Sequence, residues 1–168
     1  MESAASGPAI GQQVPMTVRV RAGTRFAADP LWWLAGAAGL AVAGIFLGAL
    51  PGALARSALH GWAAWLSCIL WQPILEEAVF RGLLQGELLR RGWGRRQWRG
   101  VSAANLLSSL AFVAVHFVHH PPLWAVSVFA PSLLFGWLRE RHRGLGAPIA
   151  LHVLFNAEFF LAAALALG

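Results

Sequence analysis

The chain has 168 residues, 58% of them hydrophobic, and its mean hydropathy of +0.60 is far above that of soluble globular proteins. This composition excludes an ordinary soluble domain and predicts one membrane domain. The net charge of +6 comes from 13 arginines without a lysine. These arginines lie between apolar runs, which favours membrane topology and excludes nucleic acid as the expected partner. The single cysteine, Cys68, excludes an intramolecular disulfide and a cysteine-based metal site.

Five apolar segments follow one another along the chain. Residues 1–29 are expected to form a mobile cytoplasmic tail, and residues 30–168 the membrane domain. The first apolar segment, 31–50, is uncharged for 20 residues, the length of a membrane-spanning helix. The other segments are expected at 59–89, with a kink at Pro73, and at 101–118, 123–138 and 147–167.

Four glycines in the first segment predict close packing of that helix against a neighbour. They are Gly36, Gly39, Gly44 and Gly48, and the last two have the spacing of small residues in packed membrane helices. We therefore expect another helix to pack against these small residues.

Arginines alternate between the connections of these segments. The tail carries three, the first loop only Arg56, the second loop five, the third none, the fourth three and the C-terminus none. By the positive-inside rule, this pattern predicts an all-α polytopic membrane protein with about five transmembrane helices. Its N-terminus is expected in the cytoplasm and its C-terminus outside.

Adjacent carboxylates interrupt the second apolar segment. Glu77 and Arg81 are four residues apart on one helical stripe, so they are expected to form a structural ion pair. Glu76 points about 100° away from Glu77 and is left without this partner. A buried carboxylate of this kind is a candidate general base.

Two further i, i+4 pairs place polar groups in later segments: Phe112 with His116, and His152 with Asn156. At about 1.5 Å per helical residue, Glu76 lies roughly 21 Å from the nearest cytoplasmic arginine along its segment. The same count gives roughly 25 Å for His116, 14 Å for His152 and 20 Å for Asn156. These depths overlap near or slightly beyond the midplane and predict one shared polar site.

Two chemistries fit these residue types. A carboxylate base and one histidine can hold and deprotonate a water, while a second histidine and an asparagine donate hydrogen bonds to a developing oxyanion. Such a site would hydrolyse an amide without a covalent intermediate. Alternatively, His116, His152 and a glutamate would form a zinc site with an open water position.

The three motifs, Glu76-Glu77-x-x-x-Arg81, Phe112-x-x-x-His116 and His152-x-x-x-Asn156, resemble in type and order those of the CPBP family. This family comprises the CAAX-type proteases and the bacteriocin-processing (Abi) intramembrane proteases. The resemblance covers roughly residues 73–160 and implies that Glu76 is the catalytic base, with His116 helping to hold the water. It also implies that His152 and Asn156 form the oxyanion hole. Glu77, Arg81 and Phe112 would have structural and orienting roles.

The same resemblance implies a partner and a location. The partner would be a membrane-anchored protein or peptide substrate in the lipid bilayer of a bacterial inner membrane. Small bacterial members are similar to proteases that process C-terminal sorting tails. The glutamate-type reaction needs no cofactor, and zinc remains the alternative. The competing hypotheses are a non-enzymatic immunity or partner-binding membrane protein and a small transporter, but the complete set of polar residues favours the protease.

Overall fold

A computed structural model describes residues 24–167, which are mostly helical. The long first helix, α1, spans Pro30–Ala49, and the short α2 spans Pro51–Ala55. A continuous helix over residues 62–90, called the segmented helix, changes type along its length. Its segments are α3 (Trp62–Trp65), a π-helix (Leu66–Trp71), α4 (Gln72–Glu77), a second π-helix (Ala78–Leu84) and α5 (Gln85–Arg90).

Four helices complete the described chain. These are α6 (Ala103–His116), α7 (Pro122–Ser127), α8 (Phe129–His142) and α9 (Gly146–Leu165). A 3-10 helix (Gly92–Arg95) and a two-stranded antiparallel hairpin, β1 (Gln97–Trp98) and β2 (Val101–Ser102), precede α6. The sequence predicted only a basic loop there. Arg99 and Gly100 both have positive φ at the tip, which matches the twist of a two-residue hairpin turn.

Two helices, α1 and α9, are long and apolar enough to cross a membrane, and α6 is a shorter apolar helix. This finding agrees with an all-α membrane protein. The count of five spans stays a prediction, because the other described helices are shorter or change helix type.

The predicted division into a tail over residues 1–29 and a domain over residues 30–168 stays a prediction. Most of the tail predicted over 1–29 is outside the described residues, but Thr24–Ala28 forms a 3-10 helix. Within it, Phe26 packs against Trp32 with ring centroids 5.4 Å apart. Asp29 then caps α1, since its Oδ1 accepts a hydrogen bond from the Leu31 amide at 3.1 Å.

Helix α1 packs closely along α9. The Trp32 indole donates to the carbonyl of Ala147 at 3.1 Å. A Cβ atom at Gly36 would lie 2.9 Å from Leu154, and one at Gly39 would lie 2.5 Å from the Phe155 and Glu158 side chains. The prediction of close packing is therefore confirmed for these two glycines.

The same prediction is wrong for Gly44 and Gly48. A Cβ atom at either position would meet no atom within 4 Å in the described structure. Their spacing alone could not show which side of α1 faces a neighbour.

Pro73 lies where the first π-helix returns to α-helix, and the helix continues through it. The amide of Gln72 donates to Ser67 O, five residues back, as in a π-helix. Pro73 has no N–H to donate. The helix therefore passes Pro73 with a change of hydrogen-bonding pattern just before the two glutamates, and the expected kink stays a prediction.

Candidate active site

The Glu77–Arg81 ion pair forms the buried base of the site. Both side chains have no exposed surface, and Arg81 Nε lies 3.4 Å from Glu77 Oε2, without hydrogen-bond geometry. The guanidinium donates from Nη2 to Ser132 Oγ at 2.7 Å and to Ser132 O at 2.9 Å. It also lies over the rings of Phe112 and Phe135, 4.8 and 5.6 Å from their centroids. Opposite charge, polar acceptors and aromatic faces together offset part of the cost of removing the two charges from water.

His152 lies between the two glutamates. Its Nδ1 is 3.0 Å from Glu77 Oε1, and its Nε2 is 3.7 Å from Glu76 Oε2. A carboxylate oxygen accepts, so Nδ1 carries a proton. The ring stacks on Phe135 at a centroid distance of 4.6 Å with 20° between the planes. Glu77 and Phe135 therefore fix the imidazole with Nε2 directed toward Glu76.

Glu76 is the carboxylate of the pair that remains accessible. Its side chain is 32% exposed, whereas that of Glu77 is fully buried. Glu76 Oε2 lies 3.7 Å from His152 Nε2. Two adjacent residues on one helix thus take different environments, because successive side chains point about 100° apart.

His116 ends helix α6 beside this cluster. Its Nδ1 is 2.9 Å from the carbonyl oxygen of Phe112, one turn earlier. A carbonyl oxygen accepts, so Nδ1 donates, and in the neutral tautomer the lone pair is then on Nε2. The Phe112 ring lies between the two histidines, with centroids 4.4 Å from His116 and 6.1 Å from His152.

Asn156 is one turn after His152 on α9 and faces the first π-helix. Its Nδ2 donates to the carbonyl oxygen of Cys68 at 2.8 Å. The amide nitrogen has a second N–H, which remains available for another acceptor.

The structure therefore brings together the three motifs that the sequence singled out. Helix α4 supplies both glutamates, the second π-helix supplies Arg81, α6 supplies Phe112 and His116, and α9 supplies His152 and Asn156. The motifs lie on helices far apart in sequence, and contacts of His152 with Glu77 and of Phe112 with Arg81 join them.

Three contributors were missed by the sequence reasoning: Ser132, Phe135 and the carbonyl of Cys68. Ser132 is a small polar residue in an apolar segment, which was the one available signal. Phe135 reads as an ordinary core residue, and a backbone carbonyl has no sequence signature. Their roles follow from the packing of α8 and the first π-helix beside α9, which the sequence does not specify.

The zinc alternative depends on three ligands that meet at one point. Over residues 24–167, the structure places no three His, Cys, Asp or Glu side chains where they could hold one metal ion. The choice between the glutamate-type reaction and a zinc site of His116, His152 and a glutamate stays a prediction.

Comparisons with known proteins place this geometry in a family context. The family model for the type II CAAX prenyl endopeptidase Rce1-like proteins matches residues 58–157. The match includes all seven motif residues and extends from before the segmented helix into α9. Searches of curated proteins and of solved structures found no match.

Proposed function

Because the chain belongs to the Rce1-like family of type II CAAX prenyl endopeptidases, within the CPBP proteases, we propose that it is an intramembrane endopeptidase of the glutamate type. It would hydrolyse a peptide bond of a membrane-associated protein or peptide. The observation that carries this proposal is the placement of His152 between Glu77, which fixes its Nδ1, and Glu76, which faces its Nε2.

Water activation is assigned to Glu76 and His116. The partly exposed Glu76 carboxylate takes a proton from a water molecule, while the Nε2 lone pair of His116 accepts a hydrogen bond from the O–H that the water oxygen keeps. The water oxygen then bonds to the carbonyl carbon of the scissile peptide bond. Glu76 next passes its proton to the amine nitrogen as the C–N bond breaks, so the carboxylate is regenerated.

Stabilisation of the oxyanion is assigned to His152 and Asn156. With Nδ1 donating to Glu77, oxyanion binding by His152 requires a second proton on Nε2, which faces the reacting centre beside Glu76. The second N–H of the Asn156 amide supplies another donor. Hydrogen-bond donors that are already in place stabilise the developing negative charge more than mobile donors do, because they need no reorganisation during the reaction.

Orientation is assigned to the groups beneath the site. Arg81 neutralises Glu77, and Ser132 fixes the guanidinium. Phe112 separates the two histidines and contacts Arg81. In this mechanism none of these four side chains touches the substrate.

We propose a class of substrate and a membrane location for the enzyme. The substrate would be a membrane-anchored chain such as a C-terminal sorting tail with a short motif, an apolar helix and a basic end. The enzyme would sit in a bacterial inner membrane with its N-terminus in the cytoplasm and its C-terminus outside. The arginine alternation supports this orientation. The mechanism requires no metal.

The test compares the C-termini of membrane proteins in host cells that carry the native chain, Glu76→Gln or Glu87→Gln. The amide introduced by Glu76→Gln is nearly isosteric but cannot take the proton, so processing should fall by about 10²–10⁴-fold. Glu87→Gln makes the same chemical change on the same helix, at an exposed ion pair with Arg90, and should process normally. If all three profiles match at equal expression, the protease assignment is wrong.

A further inference from the structure

The carbonyl of Cys68 has lost the donors that a helix normally provides. In an α-helix it would accept from the amide of residue 72, and in a π-helix from that of residue 73. The Gln72 amide donates instead to Ser67 O, and residue 73 is a proline, which has no N–H. A carbonyl inside an apolar helix bundle requires a donor from elsewhere.

Asn156 supplies this donor from α9. Its Nδ2 lies 2.8 Å from Cys68 O, and the two residues are 88 positions apart in the chain. Because a carbonyl oxygen accepts only, it selects the nitrogen end of the amide and excludes the flipped orientation. The second N–H is then held in the plane of the amide group.

We propose that Pro73 is a positioning residue for Asn156, acting through the Cys68 carbonyl. Because the proline has no amide hydrogen at position 73, no backbone donor from that position competes with Asn156 for this carbonyl. By accepting from Nδ2, the Cys68 carbonyl fixes the orientation of the Asn156 amide relative to the site. Pro73 itself is fully buried and reaches the reaction only through these two groups.

The catalytic consequence rests on the proposed function, since it requires Asn156 to bind an oxyanion. A flipped amide would present an oxygen there and would repel the developing charge. The hydrogen-bond relation between Pro73, Cys68 and Asn156 does not require the protein to be a protease, so the two can fail separately.

The test uses the fact that Cys68 is the only cysteine in the chain. Cysteine labelled with carbon-13 at its carbonyl carbon therefore reports on this one carbonyl, and infrared spectroscopy of the full chain in lipid nanodiscs reads its hydrogen bonding. The set comprises the native chain, Asn156→Ala, Pro73→Ala and the double variant. Pro131→Ala is the matched control, because it changes a proline in the first turn of α8, where amides lack helical acceptors.

In the native background, Asn156→Ala should shift the labelled band to higher wavenumber, because the carbonyl loses its donor. In the Pro73→Ala background the same substitution should shift it much less, because the new amide at residue 73 serves the carbonyl. Pro131→Ala should leave the native response unchanged. Equal shifts in both backgrounds, or no shift in the native one, would overturn the inference.

Processing of C-terminal tails in cells distinguishes positioning from support of the fold. Pro73→Ala should reduce processing by about tenfold, short of the 10²–10³-fold expected when an oxyanion donor is removed in Asn156→Ala. Its thermal stability should stay at or above that of the native chain, since a helix-interior proline is replaced. Two outcomes would contradict the positioning role. Pro73→Ala could process tails at the native rate, or its loss of processing could match a loss of thermal stability. If the infrared result holds while Glu76→Gln processes normally, the proposed function fails and the hydrogen-bond relation stands.

Discussion

Removing the Arg81 charge should destabilise the fold far more than removing both charges of its ion pair. Arg81→Met leaves Glu77 fully buried without its cation, and breaking a buried pair in this way costs about 3–5 kcal/mol. In the double variant Glu77→Gln/Arg81→Met no charge is stranded. Its free energy of unfolding should lie within about 1–2 kcal/mol of that of the native chain, because replacing a whole buried pair is often nearly neutral.

Activity should not recover together with stability in that double variant. The amide oxygen introduced by Glu77→Gln can still accept from His152 Nδ1, but it stabilises less well the second ring proton that oxyanion binding requires. A hydrogen bond to a charged group stabilises by about 1–1.5 kcal/mol more than a neutral one, so processing should stay about tenfold below native.

The assay is a double-mutant cycle on purified protein in mild detergent. Tryptophan fluorescence follows unfolding, and the tail-processing profile in cells follows activity. Glu87→Gln/Arg90→Gln is the matched control, because it removes an exposed ion pair from the same helix and should change stability by less than about 1 kcal/mol. The reasoning is refuted if the double variant is as unstable as Arg81→Met, or if it processes tails at the native rate.

Two further predictions concern pH and metal. The Arg141 guanidinium hydrogen-bonds Asp29 and holds the pKa of this carboxyl below its ordinary value of 3.8. A lowered pKa stabilises the fold above the unfolded value, and this contribution is lost as pH falls through the folded value. Asp29→Asn should therefore be less stable than native at about pH 5, and the difference in melting temperature should shrink toward about pH 3. Separately, a strong chelator should leave processing by purified protein unchanged; loss of stoichiometric zinc together with activity would instead establish the metal mechanism.

Much of the site could be predicted because helical periodicity is local. The spacing of Glu77 and Arg81 fixes one shared stripe whatever the rest of the chain does, and it leaves Glu76 on another. The order of the three motifs also pointed to the CPBP family, which the match over residues 58–157 confirms. Composition similarly established an apolar, helical protein, since a bilayer admits few other structures.

The contacts between helices could not be predicted in the same way. Gly36 and Gly39 pack against α9 whereas Gly44 and Gly48 do not, although all four have similar spacing on one helix. Choosing among them requires the crossing position of α1 and α9, which depends on both surfaces together.

The sequence by itself determined which residue types carry the chemistry and which of them share a helical face, because those properties follow from covalent spacing. Only the tertiary structure decided that His152 lies between both glutamates, that Ser132 holds Arg81, and that Asn156 serves the carbonyl of Cys68. Each of these contacts joins residues at least 51 positions apart. Their geometry depends on how whole helices pack, so no local pattern in the chain can specify it.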